Sequence, residues 1–560
     1  MKITSDEAAS AQLRLSWRKY RPWAFVAAVT IVHLLIAARS VGPMYVYDEI
    51  GYVAAGNVLA GHDFAWSLCG SSYAVGYSVL LTPLWWLPVA PLTVYQIAVF
   101  MSAALGALAI WPATALAKRF GAKGGVALAI GALVTLVPSR ALIDNYVLAE
   151  NPLTLLVLCT ALSAFRLAAD GRRLDAVLLG LSAGLATAVH ARALPLAAIT
   201  IAWLVVRAIL KRTRWPDAGL GGATALALAV GGVLAQSAMG GRIFAEDDRL
   251  GNLVGHLNLV RVGEVIVGQA FIQVVSWAIL TVLGLLAVAN NARRAIRRAS
   301  PGGLASAWWW FGAMLAAQAT FFVWVLAGSA EFATRFDIPI FGRYLDPFVV
   351  PLAILGATTL WVKRSRRLAN VALVAAGVAV VAYCGLLLPR IPSDALWIRF
   401  AVPGLMPFMR LEDTFHWGSL ATAAAVSLVA SLLLWASVRR ARLGLIAAVV
   451  VAAGITTATD VFRIDPFEGE ARAQTIVSPT VLALPEYNTT MAADLLPCLE
   501  RNKLQMELAG HVDVVLSGGD YGDELVIGPT EWPAARAAGL KPVRLSAWLG
   551  AQLWAGPTVK

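Results

Sequence analysis

Apolar stretches of about 17 to 25 residues recur along most of this chain, each long enough to cross a hydrocarbon layer roughly 30 Å thick as a helix. Inside a bilayer a helix satisfies its backbone groups within the segment, so a chain built this way folds as a bundle of membrane helices. Of the 560 residues, 59% are hydrophobic and 14% charged, with 20 Trp and a mean hydropathy of +0.71. An average soluble domain has about a quarter of its residues charged. The composition therefore excludes both an ordinary soluble enzyme and a disordered chain.

Spans are expected near residues 22–39, 93–117, 124–140, 147–168, 174–190, 193–210, 218–238, 267–289, 304–328, 346–362, 368–388, 418–437 and 443–459, about thirteen in all. Lys and Arg test that count, because cytoplasmic loops carry their excess. Arg14/Arg18/Lys19/Arg21, Lys118/Arg119/Lys123, Arg172/Arg173, Arg207/Lys211/Arg212/Arg214, Arg293/Arg294/Arg297/Arg298, Lys363/Arg364/Arg366/Arg367 and Arg439/Arg440/Arg442 then fall on one side. The expectation is a multi-pass plasma-membrane protein with residues 1–21 cytoplasmic, a transmembrane domain over 22–459 and residues 460–560 extracytoplasmic. Read as topology, the net charge of +12 gives no reason to expect a nucleic-acid partner.

Segment 73–90 is apolar enough to span, but Pro83 and Pro88 break it and no basic flank follows. Counting it as a span would invert every later loop, so it reads as a helix at the outer interface, with Trp85 and Trp86 at headgroup level. Residues 40–92 then form one large external loop. The tail holds 12 acidic and eight basic side chains among turn-rich segments and short apolar runs, which predicts a small mixed α/β domain. Cys69 and Cys498 both fall in the external regions, where a disulfide would be stable, although spacing alone does not pair them.

Charge is scarce in this chain, so ionisable groups on the outer side, away from the topogenic clusters, carry the chemical information. Asp48-Glu49 follows the first span within YDEIGY, where it fits a base, a cation site or a helix cap, with Tyr52 one turn on. Glu150 lies in the first turn of an apolar helix, after Asp144-Asn145-Tyr146, and needs a partner. Arg140, His190-Ala191-Arg192 and Gly342-Arg343-Tyr344 place cations on the side where arginine is uncommon; guanidinium groups there suit an anionic lipid phosphate.

Taken in order, these features resemble the GT-C superfamily of polyprenyl-phosphate-sugar-dependent glycosyltransferases. The nearest group is family 39, that of the protein O-mannosyltransferases and aminoarabinose transferases. The matching segments are YDEIGYVAAGNVLAG, YAVGYSVLLTPLW, LAENPLTLL, GLSAGLATAVHARALPL and FGRYLDPFVVPL; His190 stands where a small or hydroxyl residue is expected. The resemblance covers residues 22–360 and is only architectural from 390 onward. It implies a GT-C fold and sugar transfer from a polyprenyl-phosphate donor to a hydroxyl on a glycan, protein, glycolipid or peptide, with inversion. Asp48 would be the general base, and Glu49 would orient the acceptor or help hold Mg²⁺ or Mn²⁺. Arg192, Arg343, Arg140 and Tyr344 would bind the donor phosphate, with Glu150, His190 and Tyr52 on the acceptor side. Mannose and arabinose are the sugars such a group brings to mind, and the Ala-, Arg- and Gly-rich usage fits a high-GC bacterium such as an actinomycete. The competing reading is a flippase for a lipid-linked sugar, which broken helices near mid-membrane and inverted repeats would favour; the sequence places charges at the outer mouth and shows no evident halves.

Overall fold

The computed structural model describes residues 22–40, 42–43, 46–62, 73–243, 258–297, 303–329, 332, 334–392, 395, 401–409, 416–464, 489–492, 512–515, 525–548 and 551–556. Cys69, Cys498 and the basic N-terminal cluster, with the disulfide and topology expectations placed on them, lie outside the described residues.

Helices α1 (Pro22–Ala37), α2 (Val46–Leu59) and the short α3 (Gly76–Leu81) come first. They are followed by α4 (Pro91–Leu108), α5 (Ile110–Arg119), α6 (Gly124–Leu136), α7 (Pro138–Ala141), α8 (Glu150–Asp170), α9 (Arg173–Val189) and α10 (Leu194–Ile209). The second half holds α11 (Trp215–Ile243), α12 (Leu259–Trp277), α13 (Leu280–Arg297), α14 (Leu304–Ala327), α15 (Asp346–Trp361), α16 (Arg366–Leu386), α17 (Trp417–Ala436) and α18 (Ala441–Thr459). Among the described residues, eight helical stretches are long and apolar enough to cross a membrane, or ten if each of two bent pairs is one span. The protein is a multi-pass membrane protein.

Three breaks interrupt the helical run. Val137 precedes Pro138, so it leaves the helical region (ψ 145°), and the chain bends by 60° between α6 and the turn that ends at Asn145. A 75° bend separates Ile338–Tyr344 from α15, which begins with Asp346-Pro347. The span expected over 267–289 is two helices, α12 and α13, broken at Ala278, whose φ is +50°. Residues 417–464 are continuously helical, yet Trp417 Nε1 bonds to Ile391 O at 2.9 Å and Arg463 Nη1 to Met409 O. A straight helix of that length would separate its ends by about 70 Å. Since both ends reach the 391–409 segment, α17 and α18 form a hairpin that folds back at Ser437–Arg440.

Segment 73–90 does not make a span. Helix α3 and the 3-10 turn Thr82–Trp86 pack on α2, with Trp85 Nε1 bonded to Val53 O at 3.0 Å and Trp86 Nε1 to Ala60 O at 3.2 Å. Val79, Leu80, Trp86 and Leu87 remain exposed on the other face. Elsewhere small residues let helices touch backbone to backbone, as membrane packing requires where burial from lipid supplies no hydrophobic force. A Cβ on Gly180 would lie 1.9 Å from Gly221 O, and one on Gly356 would lie 1.9 Å from Leu280 O. The bundle core is continuous through Phe165, Phe311, Trp310 and Phe348, while Val374, Val378, Val381, Leu433, Leu443 and Val450 line outward faces, as expected of lipid-facing ridges.

The C-terminal region holds a five-stranded sheet among its described residues: β1 (Thr489–Ala492), β2 (Val512–Val515), β3 (Leu525–Pro529), β4 (Lys541–Trp548) and β5 (Ala551–Ala555), in the order β2-β1-β3-β5-β4. The β2-β1-β3 pairs are parallel and the β3-β5 and β5-β4 pairs antiparallel, with register Val526 to Trp554. Trp554 and Trp532 pack beside the short helix Pro533–Ala537, so this part is mixed α/β.

Several long helices have one end in a basic cluster and the other in the polar cluster described next. At 21 residues, α8 is about 30 Å long. Its Asp170 end bonds to Arg119 at 2.7 Å, and its Glu150 end enters the polar cluster. Likewise α9 runs from Arg173 to the turn holding Arg192, and α15 from Asp346 to Lys363 just beyond its end.

Candidate active site

Asp48 and Glu49 occupy the first turn of α2, where helix geometry turns adjacent side chains about 100° apart. Glu49 faces inward and is fully buried; its Oε1 accepts from the Tyr95 hydroxyl at 2.5 Å and from the Val147 N–H at 2.8 Å. Asp48 faces the partly open side, with 15% of its side chain exposed. Its Oδ1 accepts from the Tyr73 hydroxyl at 2.5 Å and its Oδ2 from Arg343 Nη2 at 2.5 Å.

Arg343 lies in the 3-10 turn Gly342–Tyr344, held there by the bend before α15. It also reaches Glu150, the first residue of α8, with Nε 3.4 Å from Oε1. The same oxygen accepts from Arg192 Nη2 at 2.5 Å. Arg192 is carried by the 3-10 turn Ala191–Ala193 between α9 and α10. The four groups thus form a chain of alternating sign, Asp48–Arg343–Glu150–Arg192, that is neutral overall. Glu150 and Arg192 are only 3% and 4% exposed, and buried charges survive when each has a counter-charge and hydrogen bonds. Arg192 Nε and Nη1 are buried yet bond to no described protein atom, which leaves guanidinium donors for an oxygen anion.

The other residues singled out from the sequence have distinct places. Tyr344 lies under Arg192, whose Cζ is 4.9 Å from the ring centroid, and packs on Phe341 at 4.4 Å. Tyr52 is buried against Tyr73 and Tyr77, with centroids 5.1 and 5.4 Å away, and burial pushes its phenol well above the ordinary tyrosine range. It is a neutral wall of the cluster. His190 Nδ1 accepts from the Arg192 N–H at 3.3 Å, which caps the turn, and Gln318 Nε2 holds the Arg192 carbonyl at 2.6 Å. Arg140 sits behind the ion-pair chain: its Nη2 donates to Glu150 O and to Asn151 Oδ1, both at 3.2 Å.

A second layer supports Glu150. Asn151 Nδ2 donates to Asp144 Oδ1 at 2.8 Å, and Asp144 Oδ2 lies 2.5 Å from His33 Nδ1 on α1. His33, Arg140, Asn151 and Thr154 line a small cavity with about 10 Å³ of water-accessible volume, room for the centre of one water. Sequence reading missed Tyr73, Tyr95 and His33. The two tyrosines carry no charge signal, but His33 is an ionisable group within the first apolar span and could have been found on that ground.

The structure does not gather a cation site at the Asp48-Glu49 pair. The two carboxylates are held by different donors on different faces, and among the described residues no three His, Cys, Asp or Glu side chains come together as metal ligands. The residues present therefore do not fit a shared Mg²⁺ or Mn²⁺.

The fold is of the GT-C type, with a charged cluster at one end of several helices. No protein-family model matches the chain, and no curated protein sequence does. Among solved structures it is similar to ArnT from Cupriavidus metallidurans bound to undecaprenyl phosphate, with a TM-score of 0.55 at 15% identity over 95% of this chain and 97% of that one. The apo state of the same protein gives a TM-score of 0.54 at 15% identity, covering 98% of each chain. At that identity the likeness establishes the fold.

Proposed function

We propose that this protein is an inverting glycosyltransferase that moves a sugar from a polyprenyl-phosphate donor to a hydroxyl acceptor on the outer face of the membrane. The observation that carries the reading is the ion-pair chain: one partly exposed carboxylate, Asp48, beside two buried guanidinium groups, Arg343 and Arg192, the latter with donors left over. The chemistry asks for that set. A hydroxyl attacking an anomeric carbon must lose a proton, and a carboxylate within reach serves as the base. The departing phosphate gains negative charge, which fixed guanidinium donors in a water-poor site stabilise. Direct displacement inverts the anomeric centre, so a β-linked donor gives an α-glycoside.

In this reading Asp48 takes the acceptor proton and Arg192, with Arg343, receives the phosphate. Tyr344 and His190 hold the Arg192 turn, and Glu150 spaces the two arginines. Glu49 anchors α2 to Val147 and Tyr95, so that Asp48 is presented to the open side. The similar ArnT structure is bound to undecaprenyl phosphate, which is the class of lipid assigned here. The bent helix pairs at Val137 and before α15 would also suit a flippase, but the charge lies at helix ends, which favours transfer chemistry there.

The test is mass-spectrometric transfer from a panel of polyprenyl-phosphate sugars, mannose and arabinose among them, by purified protein in detergent with cell-envelope acceptors. Appearance of glycosylated acceptor with release of polyprenyl phosphate supports the reading. Donor that binds and is recovered intact with every acceptor fraction contradicts it.

A further inference from the structure

Both oxygens of the Asp48 carboxylate are occupied in this structure, Oδ1 by the Tyr73 hydroxyl and Oδ2 by Arg343 Nη2, each at 2.5 Å. A carboxylate held this way is a poor proton acceptor, since a charge-assisted hydrogen bond on each oxygen stabilises the ionised form and blocks the approach of a hydroxyl. One of the two must yield before the group can act. Tyr73 donates as a neutral hydroxyl, on which an arriving anion pulls less than on a guanidinium. Arg343 has a choice, because it stands between Asp48 and Glu150 and next to Arg192, whose buried donors await an anion.

We propose that Arg343 is shared between the base and the donor phosphate: the lipid phosphate draws it off Asp48, so that the base is unmasked only when donor is bound. The idea rests on the donor assignment above and adds a binding order to it, donor before acceptor. Charge accounting through the reaction supports it. The donor phosphodiester enters with one negative charge. As the acceptor oxygen bonds to the anomeric carbon, its proton passes to Asp48, and the bond from the anomeric carbon to the phosphate oxygen breaks with its electron pair going to that oxygen. Asp48 ends neutral and the phosphate doubly charged, so the negative charge that Arg343 balances moves from one partner to the other. A site with the two fixed in place would have to strand Arg343 beside a neutral acid in a buried setting, which is costly. The Glu150 contact keeps the guanidinium near both positions.

The experiment is carboxylate labelling of the full-length protein in detergent by a water-soluble carbodiimide and an amine, read residue by residue by peptide mass spectrometry. It is run alone, with undecaprenyl phosphate and with undecaprenol, while native mass spectrometry records lipid occupancy. Asp170, with 29% of its side chain exposed, is the reference carboxylate, and the fully buried Glu49 the protected one. The expected result is a rise of about tenfold in Asp48 labelling with undecaprenyl phosphate, the scale of losing one charge-assisted hydrogen bond, and no rise with undecaprenol. In Arg343→Gln, Asp48 is labelled to the higher level without lipid, and the lipid adds nothing. If that variant fails to fold, the comparison on the native sequence stands alone. Bound undecaprenyl phosphate with unchanged or lower Asp48 labelling overturns the proposal and leaves the donor assignment in place. An equal rise with undecaprenol overturns it too, by assigning the effect to the lipid chain. No binding of undecaprenyl phosphate overturns the donor assignment and the proposal together.

Discussion

At the scale of single residues, the cluster works because every charged group has at least one neighbour of opposite sign, Arg343 and Glu150 having two, and Arg192 keeps donors in reserve. Replacing Arg192 by Gln removes a charged donor set and leaves Glu150 with a weaker partner. Affinity for undecaprenyl phosphate, measured by native mass spectrometry, is expected to fall about tenfold to a hundredfold, with Arg192→Lys recovering part of it. Unchanged affinity would take Arg192 out of the phosphate site. His33 acts behind the ion-pair chain: it holds Asp144, and through it Asn151 and the first turn of α8. Substituting Ala should lower thermal stability by about 1–3 kcal/mol, the cost of stranding a buried acceptor, while lipid binding persists in the folded fraction. Asp48, Glu150, Arg192 and Arg343 were legible as candidates because charge near hydrocarbon must be explained. Their partnerships were not, since Arg343 and Asp48 are 295 residues apart and nothing local fixes which cation meets which acid. Glu49 shows the limit: adjacent carboxylates read as a pair, but a helical turn sends one inward to a backbone N–H.

At the scale of elements, glycines set the geometry that brings helix ends together. Helices α13 and α15 meet where Gly284 and Gly356 face Leu352 O and Leu280 O, at 2.1 and 1.9 Å from where a Cβ would stand. Gly356→Ala must push α15, and with it the Arg343 turn, away from α13. It is expected to cost about 1–3 kcal/mol and to lower the unfolding temperature in a thermal-shift assay. Gly377→Ala on α16, where a Cβ meets nothing within 4 Å, should leave that temperature unchanged or slightly raised. Equal effects at both sites would contradict the packing. Apolar length announced most of these helices, but the span expected over 124–140 ran through Pro138, where the chain bends. The angles of 60° and 75°, and the interruption at Ala278, follow from which neighbours the segments meet, which no local pattern carries. Segment 73–90 was legible as something other than a span because its prolines limit it to α3 and one 3-10 turn.

At the scale of the whole molecule, several helices run from a basic cluster to the acid-arginine chain, and the charge-bias rule leads us to expect the basic end in the cytoplasm. A cysteine placed at the exposed Arg172 should then react with a membrane-impermeant maleimide only after permeabilisation, and one at exposed His62 in intact spheroplasts; the reverse pattern would invert the topology. The mixed α/β character of the C-terminal region was readable from its turn residues and short apolar runs, but its strand order was not, because short strands with crossovers leave no periodic signature that fixes it. The central claim, that Asp48 is the base of a lipid-dependent transfer, is tested most directly by comparing native protein and Asp48→Asn for donor binding and single-turnover transfer. The account predicts that Asp48→Asn binds the polyprenyl-phosphate sugar at least as tightly as the native protein, while transfer slows by about 10²–10⁴-fold. Transfer at the native rate by Asp48→Asn would contradict it.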